Sequence, residues 1–437
     1  MLTGVPPRAR DLDIYLFPAI VGGGLGDIEE VLAAGRRLAD AGFRLYRMRL
    51  GGRPLPRSVE GPWAWPPLAR VAAPVSRSAK ALTVSPMWGV TAAPPLDGRW
   101  GRAGPWAEES AAIERSYGPD AVVHASLEEF ARTLTSRLET RERLREGGLS
   151  DREIRRRLGS RRTARERTSF RSAYRHFRGF DRANVVSIFA GFRPSRPFGR
   201  EYPEAVQTGP LWPGRPRRRR AAGRPRRREW IWYASPSSSS QLVEAIDRGL
   251  SGLRPPVRVS VRAPRPLDLP GTGRWRYLPT LSARAWPARF ARAELRIVTG
   301  SRTLLEALEL GGPFLYFNGL TGSGRSRRRH RPEKIAALVG AGWAPGARDP
   351  VRRDLSAFSR GLRVEEIVRR AAGDPSWRRT FPALGRVTGF PPPYDDAGSF
   401  LVRLARDWAV APVGSGPFVR SVRSAARRAI GLGRPGR

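Results

Sequence analysis

One stretch of the chain, residues 294–319 (ELRIVTGSRTLLEALELGGPFLYFNG), constrains the fold more than any other. Its first apolar run predicts a buried strand, the Gly300-Ser301 pair predicts a tight turn, and the apolar spacing from about Thr303 predicts a helix. A Gly-Gly-Pro break then ends the helix before a second apolar run. Buried strands joined through a helix are typical of parallel sheets, so this stretch predicts an α/β domain.

The turn in this stretch is also a candidate ligand site. Small residues before a helix leave backbone N–H groups unpaired at the positive end of the helix dipole, which suits a phosphate or diphosphate. Glu306 lies about one helical turn further on, within reach of a ribose hydroxyl pair. Thr303 and Glu306 also have the spacing of a capping box, which satisfies the same N–H groups without a ligand. Both interpretations stay open at this point.

Strand and helix patterns alternate along much of the 437-residue chain. The runs that read as strands are residues 13–20, 43–50, 81–84, 120–124, 184–190, 230–234, 257–261, 275–278 and 295–299. We therefore predict an α/β fold of two doubly wound, Rossmann-like domains that face each other across a cleft. A C-terminal helix near residues 399–408 is expected to pack back across the domain boundary.

Composition predicts where the domains begin and end. Residues 1–212 form the N-terminal domain, with a helical insertion rich in Arg and Glu at about 137–178. Residues 213–228 read as an Arg- and Pro-rich linker. Residues 229–411 form the C-terminal domain, and residues 412–437 form a basic tail.

The formal net charge of +41 has two explanations. Lys80 and Lys334 are the only lysines among 80 basic Lys and Arg residues, and Asn184 and Asn318 are the only asparagines. GC-rich codons produce such a bias whatever the function, and we favour this explanation. Arginine also binds phosphate through paired hydrogen bonds, so the excess suits anionic partners such as nucleotide diphosphates, lipid headgroups or nucleic acid.

Several classes of protein are excluded by residue usage. With no cysteine, the chain has no disulfide framework, zinc-thiolate site or thiol nucleophile. His124, His176 and His330 are too scattered for a metal cluster, and we interpret His124 as a hydrogen-bonded core residue. No apolar run is long enough to span a bilayer, and no export signal precedes Asp11, so we expect a cytoplasmic protein.

The pattern G-x-x-T-x-x-E, here Gly300, Thr303 and Glu306, resembles the donor-nucleotide segment of GT-B glycosyltransferases. It is most similar to the family 28-type group that transfers N-acetylglucosamine to lipid-linked muramyl pentapeptide. The resemblance implies that Glu306 holds the ribose of a UDP-sugar, and that the small-residue turn at Gly300 and Ser301, with Thr303, holds its diphosphate.

Two further segments extend the resemblance in the C-terminal half. His330, Arg331 and Lys334 lie where the family contacts the donor sugar and its phosphates. The family usually has a glutamine and an asparagine there, so the identity of the sugar is open. Ser235 and Ser237, between a predicted strand and a predicted helix, correspond to a second diphosphate-contacting loop.

The N-terminal loop that contains Gly22, Gly23, Gly24 and Gly26 resembles the glycine-rich loop of the same family. The resemblance implies that it shapes the acceptor and diphosphate site. Asp27 stands where the family has a histidine, and it is a candidate general base. Asp27 is also a plausible helix N-cap, and the two roles are compatible. The loop lacks the third glycine of a dinucleotide fingerprint.

The resemblance thus implies a metal-independent hexosyltransferase that uses no cofactor, since the nucleotide-sugar is a substrate. It implies that a UDP-linked hexose or N-acetylhexosamine binds in the C-terminal domain and that an unidentified acceptor binds in the N-terminal domain. A lipid-linked cell-envelope acceptor would fit a basic tail lying on the anionic inner face of the membrane.

Two alternatives stay open. A nucleotide-sugar 2-epimerase would use the same donor pocket but needs additional acids and a histidine in the cleft. A non-enzymatic nucleic-acid-binding protein would use the arginine runs at residues 215–228.

Overall fold

The computed structural model divides the chain into two compact units. The first unit comprises Met1–Pro54, Trp65–Leu211 and Thr388–Arg437, and the second comprises Leu55–Ala64 and Trp212–Val387. The structure describes residues 12–17, 26–48, 68–69, 79–86, 106–128, 183–190, 205–212, 228–234, 240–263, 267–278, 285–299, 301–317, 350–359, 361–379 and 390–431, and the single positions 150, 152, 194 and 199.

Each unit contains one parallel sheet. The strands of the first unit are β1 Leu12–Leu16, β2 Arg44–Met48, β3 Leu68–Ala69, β4 Lys80–Pro86, β5 Val122–Glu128, β6 Val185–Ala190 and β7 Ala205–Thr208. Those of the second unit are β8 Glu229–Tyr233, β9 Arg258–Arg262, β10 Trp275–Tyr277, β11 Leu295–Val298 and β12 Phe314–Tyr316. All the strand pairs are parallel.

Helices connect most of these strands. They are α1 Gly26–Asp40, α2 Trp106–Tyr117, α3 Ser240–Leu250, α4 Ala285–Arg292, α5 Ser301–Leu310, α6 Pro350–Ser359, α7 Val364–Gly373, α8 Pro375–Arg379, α9 Ala397–Val410 and α10 Ser415–Ala429, and a 3₁₀ helix spans Pro119–Ala121. None of the helices in the described ranges is both long and apolar enough to cross a membrane.

The order of the strands confirms the predicted fold class of two doubly wound α/β units. It is β3-β2-β1-β4-β5-β6-β7 in the first sheet and β10-β9-β8-β11-β12 in the second. Every residue of β1, β6, β11 and β12 is buried. Strands of a covered parallel sheet read as continuous apolar runs, which is why the sequence pattern located them. The predicted cleft between the units stays a prediction.

The domain boundaries differ from the predicted ones at the C-terminal end. Residues 388–437 belong to the first unit, whereas the sequence assigned residues 388–411 to the C-terminal domain and residues 412–437 to a separate basic tail. The predicted helix near residues 399–408 is α9, which packs against α1 of the first unit. The predicted tail forms α10, and its Val419 and Ala426 are buried because α10 packs on β5, β6 and β7.

Other predicted segments fall largely outside the described residues. Of the predicted linker at 213–228, only Arg228 is described. Of the predicted helical insertion at about 137–178, only residues 150 and 152 are described.

Lys80, at the amino end of β4, ties the C-terminal helices to the first sheet. Its Nζ donates to the carbonyls of Trp408 (2.9 Å), Ala409 (3.1 Å) and Ala411, where α9 ends. The Trp408 indole N–H donates in turn to the carbonyl of Ala81 (3.1 Å). Only 7% of Lys80 is exposed, so water contributes little to the stabilisation of its charge. The carbonyls at the negative end of the α9 dipole stabilise the charge instead.

We expect Lys80→Met to loosen α9 and α10 selectively. The variant leaves three carbonyls without their charged donor, which costs about 2 kcal/mol or more. Hydrogen exchange followed by mass spectrometry should show faster exchange in both helices. Arg403→Met is the control on the same helix, since its exposed ion pair with Asp407 is worth about 0.5 kcal/mol or less. Unchanged exchange in the Lys80 variant would show that the contact does not hold the helices.

Candidate functional site

The second sheet has one point at which the direction of winding reverses. From β8 the chain moves outward through β9 and β10, and it then returns to the other side of β8 to form β11 and β12. The connections that leave β8 and β11 therefore diverge. In open α/β sheets, ligands bind in the crevice that this divergence leaves at the carboxyl ends of the two strands.

The carboxyl ends of the strands at this crevice are held in register. Val298 of β11 lies opposite Tyr233 of β8, and the next residue, Thr299, donates from Oγ1 to the Tyr233 carbonyl at 2.7 Å. On the other side, the backbone N–H of Phe317 donates to the carbonyl of Val298 at 2.8 Å. Strands β8, β11 and β12 are thus tied together just before the predicted phosphate-binding turn.

Helix α5 leads away from this turn. It begins at Ser301, two residues before the position predicted from the apolar spacing, and its first turn contains no acid. Thr303 is buried, as are the apolar residues from Leu304 to Leu308, whereas Glu306 is only partly buried. The positive end of the α5 dipole is therefore not neutralised by an acid of its own first turn, and it lies at the crevice.

Arg296, near the start of β11, holds the C-terminal ends of two helices at the amino end of the sheet, opposite the crevice. Its guanidinium donates to the carbonyl of Phe290 at 2.8 Å and to that of Ala291 at 3.1 Å, both near the end of α4. It also donates to the carbonyl of Gly311, just after α5, at 2.8 Å. Burial lowers the pKa of Arg296 to about 10, so the group is still charged at neutral pH.

The structure places part of the predicted donor site at the crevice. Ser301, Thr303 and Glu306 lie in the first two turns of α5, which follows β11. Strand β8 ends at Tyr233 and α3 begins at Ser240, so the predicted phosphate loop between them belongs to the other strand of the crevice. The predicted site residues that lie outside the described residues are Gly22, Gly23, Gly24, Ser235, Ser237, Gly300, His330, Arg331 and Lys334.

The first sheet has a reversal of its own, between β1 and β4. Strand β1 ends at Leu16 and α1 begins at Gly26, so the glycine-rich loop is the connection that leaves this point. Asp27 is the second residue of α1, inside the first turn rather than before it. A carboxylate in that position is favoured by the helix dipole.

His124 is part of the core, as the sequence suggested. It is completely buried on β5, its Nδ1 shares a hydrogen bond with Thr83 Oγ1 (2.8 Å), and its Nε2 shares one with Glu114 Oε1 (2.9 Å). The side chain of Asn184 donates to the same Glu114 oxygen at 2.9 Å. Both ring nitrogens are therefore engaged in the core, one with β4 and one with α2.

Sequence reasoning missed a cavity of about 490 Å³ between α3 and α7. Leu242, Phe317 and Val364 contribute apolar surface to it, while Arg248 and Arg363 contribute charge. The arginines are compensated by acids on α7, since Arg248 pairs with Glu365 and Arg363 pairs with Glu366. These lining residues come from three separate segments, so no local pattern could indicate the cavity.

Within the described ranges, no group of three or more acidic or histidine side chains is arranged to hold a metal ion. The metal-independent chemistry predicted from the resemblance stays a prediction.

Comparison with known proteins gives matches among solved structures alone. No family model matches the chain, and no curated protein does. A UDP-glucosyltransferase from Polygonum tinctorium that glucosylates indoxyl matches with 11% identity and a TM-score of 0.45, over 94% of this chain and 100% of that one. WaaG, a glycosyltransferase of lipopolysaccharide biosynthesis, matches with 12% identity and a TM-score of 0.42, over 96% and 99%.

CalG4, the calicheamicin glycosyltransferase, matches with 12% identity and a TM-score of 0.39, over 98% of this chain and 100% of that one. At these identities and TM-scores, similarity does not define an activity. The function is therefore inferred from the residues of this chain.

We expect Arg296→Met to lower the free energy of unfolding of the second unit by about 3 kcal/mol, because three buried carbonyls lose a charged donor. Denaturant unfolding followed by tryptophan fluorescence measures this loss. Arg369→Met removes a half-exposed arginine from α7 of the same unit, and its effect should stay below about 0.5 kcal/mol. Equal stability of the two variants would contradict the role given to Arg296.

Proposed function

We propose that the chain is a GT-B-type glycosyltransferase whose nucleotide-diphosphate sugar binds at the crevice between β8 and β11. One observation carries the proposal. The segment singled out by its G-x-x-T-x-x-E pattern follows β11, one of the two strands at which the winding of the second sheet reverses. Local sequence and the order of the strands are independent, and both point to the same place.

The residues at the crevice suit a diphosphate leaving group. As the bond between the anomeric carbon and the phosphate oxygen breaks, negative charge accumulates on the diphosphate. The N–H groups of the first turn of α5, which begins at Ser301, supply preorganised stabilisation for that charge. Glu306, less than two turns into the helix and partly exposed, accepts hydrogen bonds from the ribose hydroxyl pair.

The acceptor is proposed to bind to the first unit, near the connection that leaves β1. Its hydroxyl oxygen forms the new bond to the anomeric carbon, and its proton passes to Asp27 as general base. The donor is a UDP-linked hexose or N-acetylhexosamine. The reaction uses no metal and no further cofactor. His330, Arg331 and Lys334 are proposed to contact the donor sugar and phosphates.

The two alternatives are less well supported. A 2-epimerase needs additional acids beside the donor pocket, and the first turn of α5, at the crevice, contains none. A nucleic-acid site in the arginine runs would need free guanidinium groups. Arg228, at the end of those runs, instead pairs with Glu294 at 2.9 Å and donates to the carbonyl of Ala372.

Glu306→Ala should weaken donor binding by about 10- to 100-fold, because the ribose loses hydrogen bonds to a charged acceptor. Thermal-shift titration with a panel of nucleotide-sugars measures this, since stabilisation follows the ratio of ligand concentration to Kd. Glu309→Ala, the same change nearly one turn further along α5, is the control and should bind like the wild type. A wild type that no nucleotide-sugar stabilises, or equal affinity for Glu306→Ala, would refute the proposal.

Asp27→Asn should leave donor affinity unchanged and slow transfer by about 100-fold or more, because an amide cannot accept the proton of the acceptor hydroxyl. Release of the nucleoside diphosphate, followed with the donor found in the titration, measures the rate. Turnover at the wild-type rate would assign the base to another residue.

A further inference from the structure

The turn between α9 and α10 exposes apolar side chains. Four large apolar side chains are exposed in the part of the chain that the structure describes, and two of them, Val410 (58% exposed) and Val413 (56%), lie in this turn. Pro412, between them, is exposed as well. Isolated exposed valines are common, but these two lie three positions apart where α9 and α10 meet, and with Pro412 they form a small apolar patch.

The turn is held rigidly. Lys80 donates to carbonyls on both sides of Val410, those of Ala409 and Ala411. Beyond Val413, the N–H of Gly414 donates to the carbonyl of Asp120 at 3.1 Å. The patch is therefore held by hydrogen bonds on both sides within the first unit.

Exposed basic side chains lie on both helices that the turn joins. On α9, Arg403, Arg406 and Val410 are exposed and follow one another at helical spacing, so they lie on one stripe. Helix α10 (SGPFVRSVRSAARRA) has four arginines and no acid, and its Arg420 and Arg428 are exposed. Arg403 pairs with Asp407, whereas Arg406 and Arg420 pair with no carboxylate among the described residues.

We propose that this α9–α10 surface, defined by Arg406, Val410, Val413 and Arg420, docks the protein on an anionic lipid bilayer. The valines enter the boundary between headgroups and acyl chains, and the arginines bind lipid phosphates. Nucleic acid shares the anionic chemistry, but two exposed valines have no favourable partner on a phosphate backbone. A lipid bilayer offers a favourable partner both to the valines and to the arginines.

The position of the surface shows what such docking leaves accessible. The turn is attached to Lys80, at the amino end of β4, whereas the glycine-rich loop follows the carboxyl end of β1. Since β1 and β4 are parallel neighbours, the turn and the carboxyl end of β1 lie at opposite ends of the strands. Docking through the turn therefore does not involve the carboxyl end of β1, and it does not depend on the proposed transferase activity.

The absence of cysteine allows a direct test, because one introduced thiol is the only labelling site in the chain. Val413→Cys, labelled with an environment-sensitive fluorophore, should shift to shorter wavelengths on vesicles of phosphatidylglycerol and phosphatidylcholine. It should not shift on phosphatidylcholine alone. The same label at Leu362→Cys, an exposed apolar position (50%) in the second unit, should be unaffected. No shift at Val413→Cys would overturn the proposal.

Two double variants separate the apolar part of the surface from the charged part. Val410→Asp with Val413→Asp, and Arg406→Glu with Arg420→Glu, should each weaken vesicle affinity by about tenfold or more in flotation assays. Leu362→Asp and Arg369→Glu are the controls, and circular dichroism confirms folding. Loss in the arginine pair with none in the valine pair would indicate purely electrostatic binding, as with nucleic acid, and would overturn the proposal. No nucleotide-sugar is present, so the outcome is independent of the donor-site test.

Discussion

The parallel pairing of β8 with β11 is the constraint on which the second unit depends. The two strands are separated in the chain by β9 and β10, yet they lie side by side at the centre of the sheet. Connections between parallel strands are right-handed, so this order sends the connections after β8 and β11 in different directions and opens a crevice at one place. At the crevice, the hydrogen bond from Thr299 to the Tyr233 carbonyl holds the carboxyl ends of the two strands together. The N-terminus of α5, which is the positive end of its dipole, therefore has a fixed position at the crevice.

Two buried cations anchor the helices that surround these sheets, and backbone carbonyls hold both of them. Lys80 binds the carbonyls at the end of α9, and Arg296 binds those at the ends of α4 and α5. The chain has about half as many acids as basic residues, 39 against 80. Helix C-termini offer an alternative anionic partner, because their unpaired carbonyls carry the negative end of the helix dipole. A chain with an excess of basic residues can thus bury some of them in an ordered core, because backbone carbonyls replace the missing carboxylates.

Local patterns predicted the donor segment well and the C-terminal region poorly. The strand, turn, helix and strand of residues 294–319 appear in the structure as β11, α5 and β12, since buried parallel strands and a Gly-Gly-Pro break are local signals. His124 was likewise interpreted correctly as a core residue. The basic stretch after residue 411 was predicted to be a tail, whereas most of it forms α10. Its order depends on Lys80, more than 300 positions earlier, and on the surface of β5, β6 and β7, neither of which a local pattern contains.

The sequence by itself determined the types of element and the chemistry of the turn before α5, because apolar periodicity, glycine and proline act over a few residues. Only the tertiary structure decided which strands are neighbours, and with that the position of the crevice and the docking of α10 on the first sheet. The physical reason is that strand order and helix docking are set by burial and hydrogen bonding between residues far apart in the chain. A local pattern can require that an apolar face be buried, but it does not specify the surface that buries it.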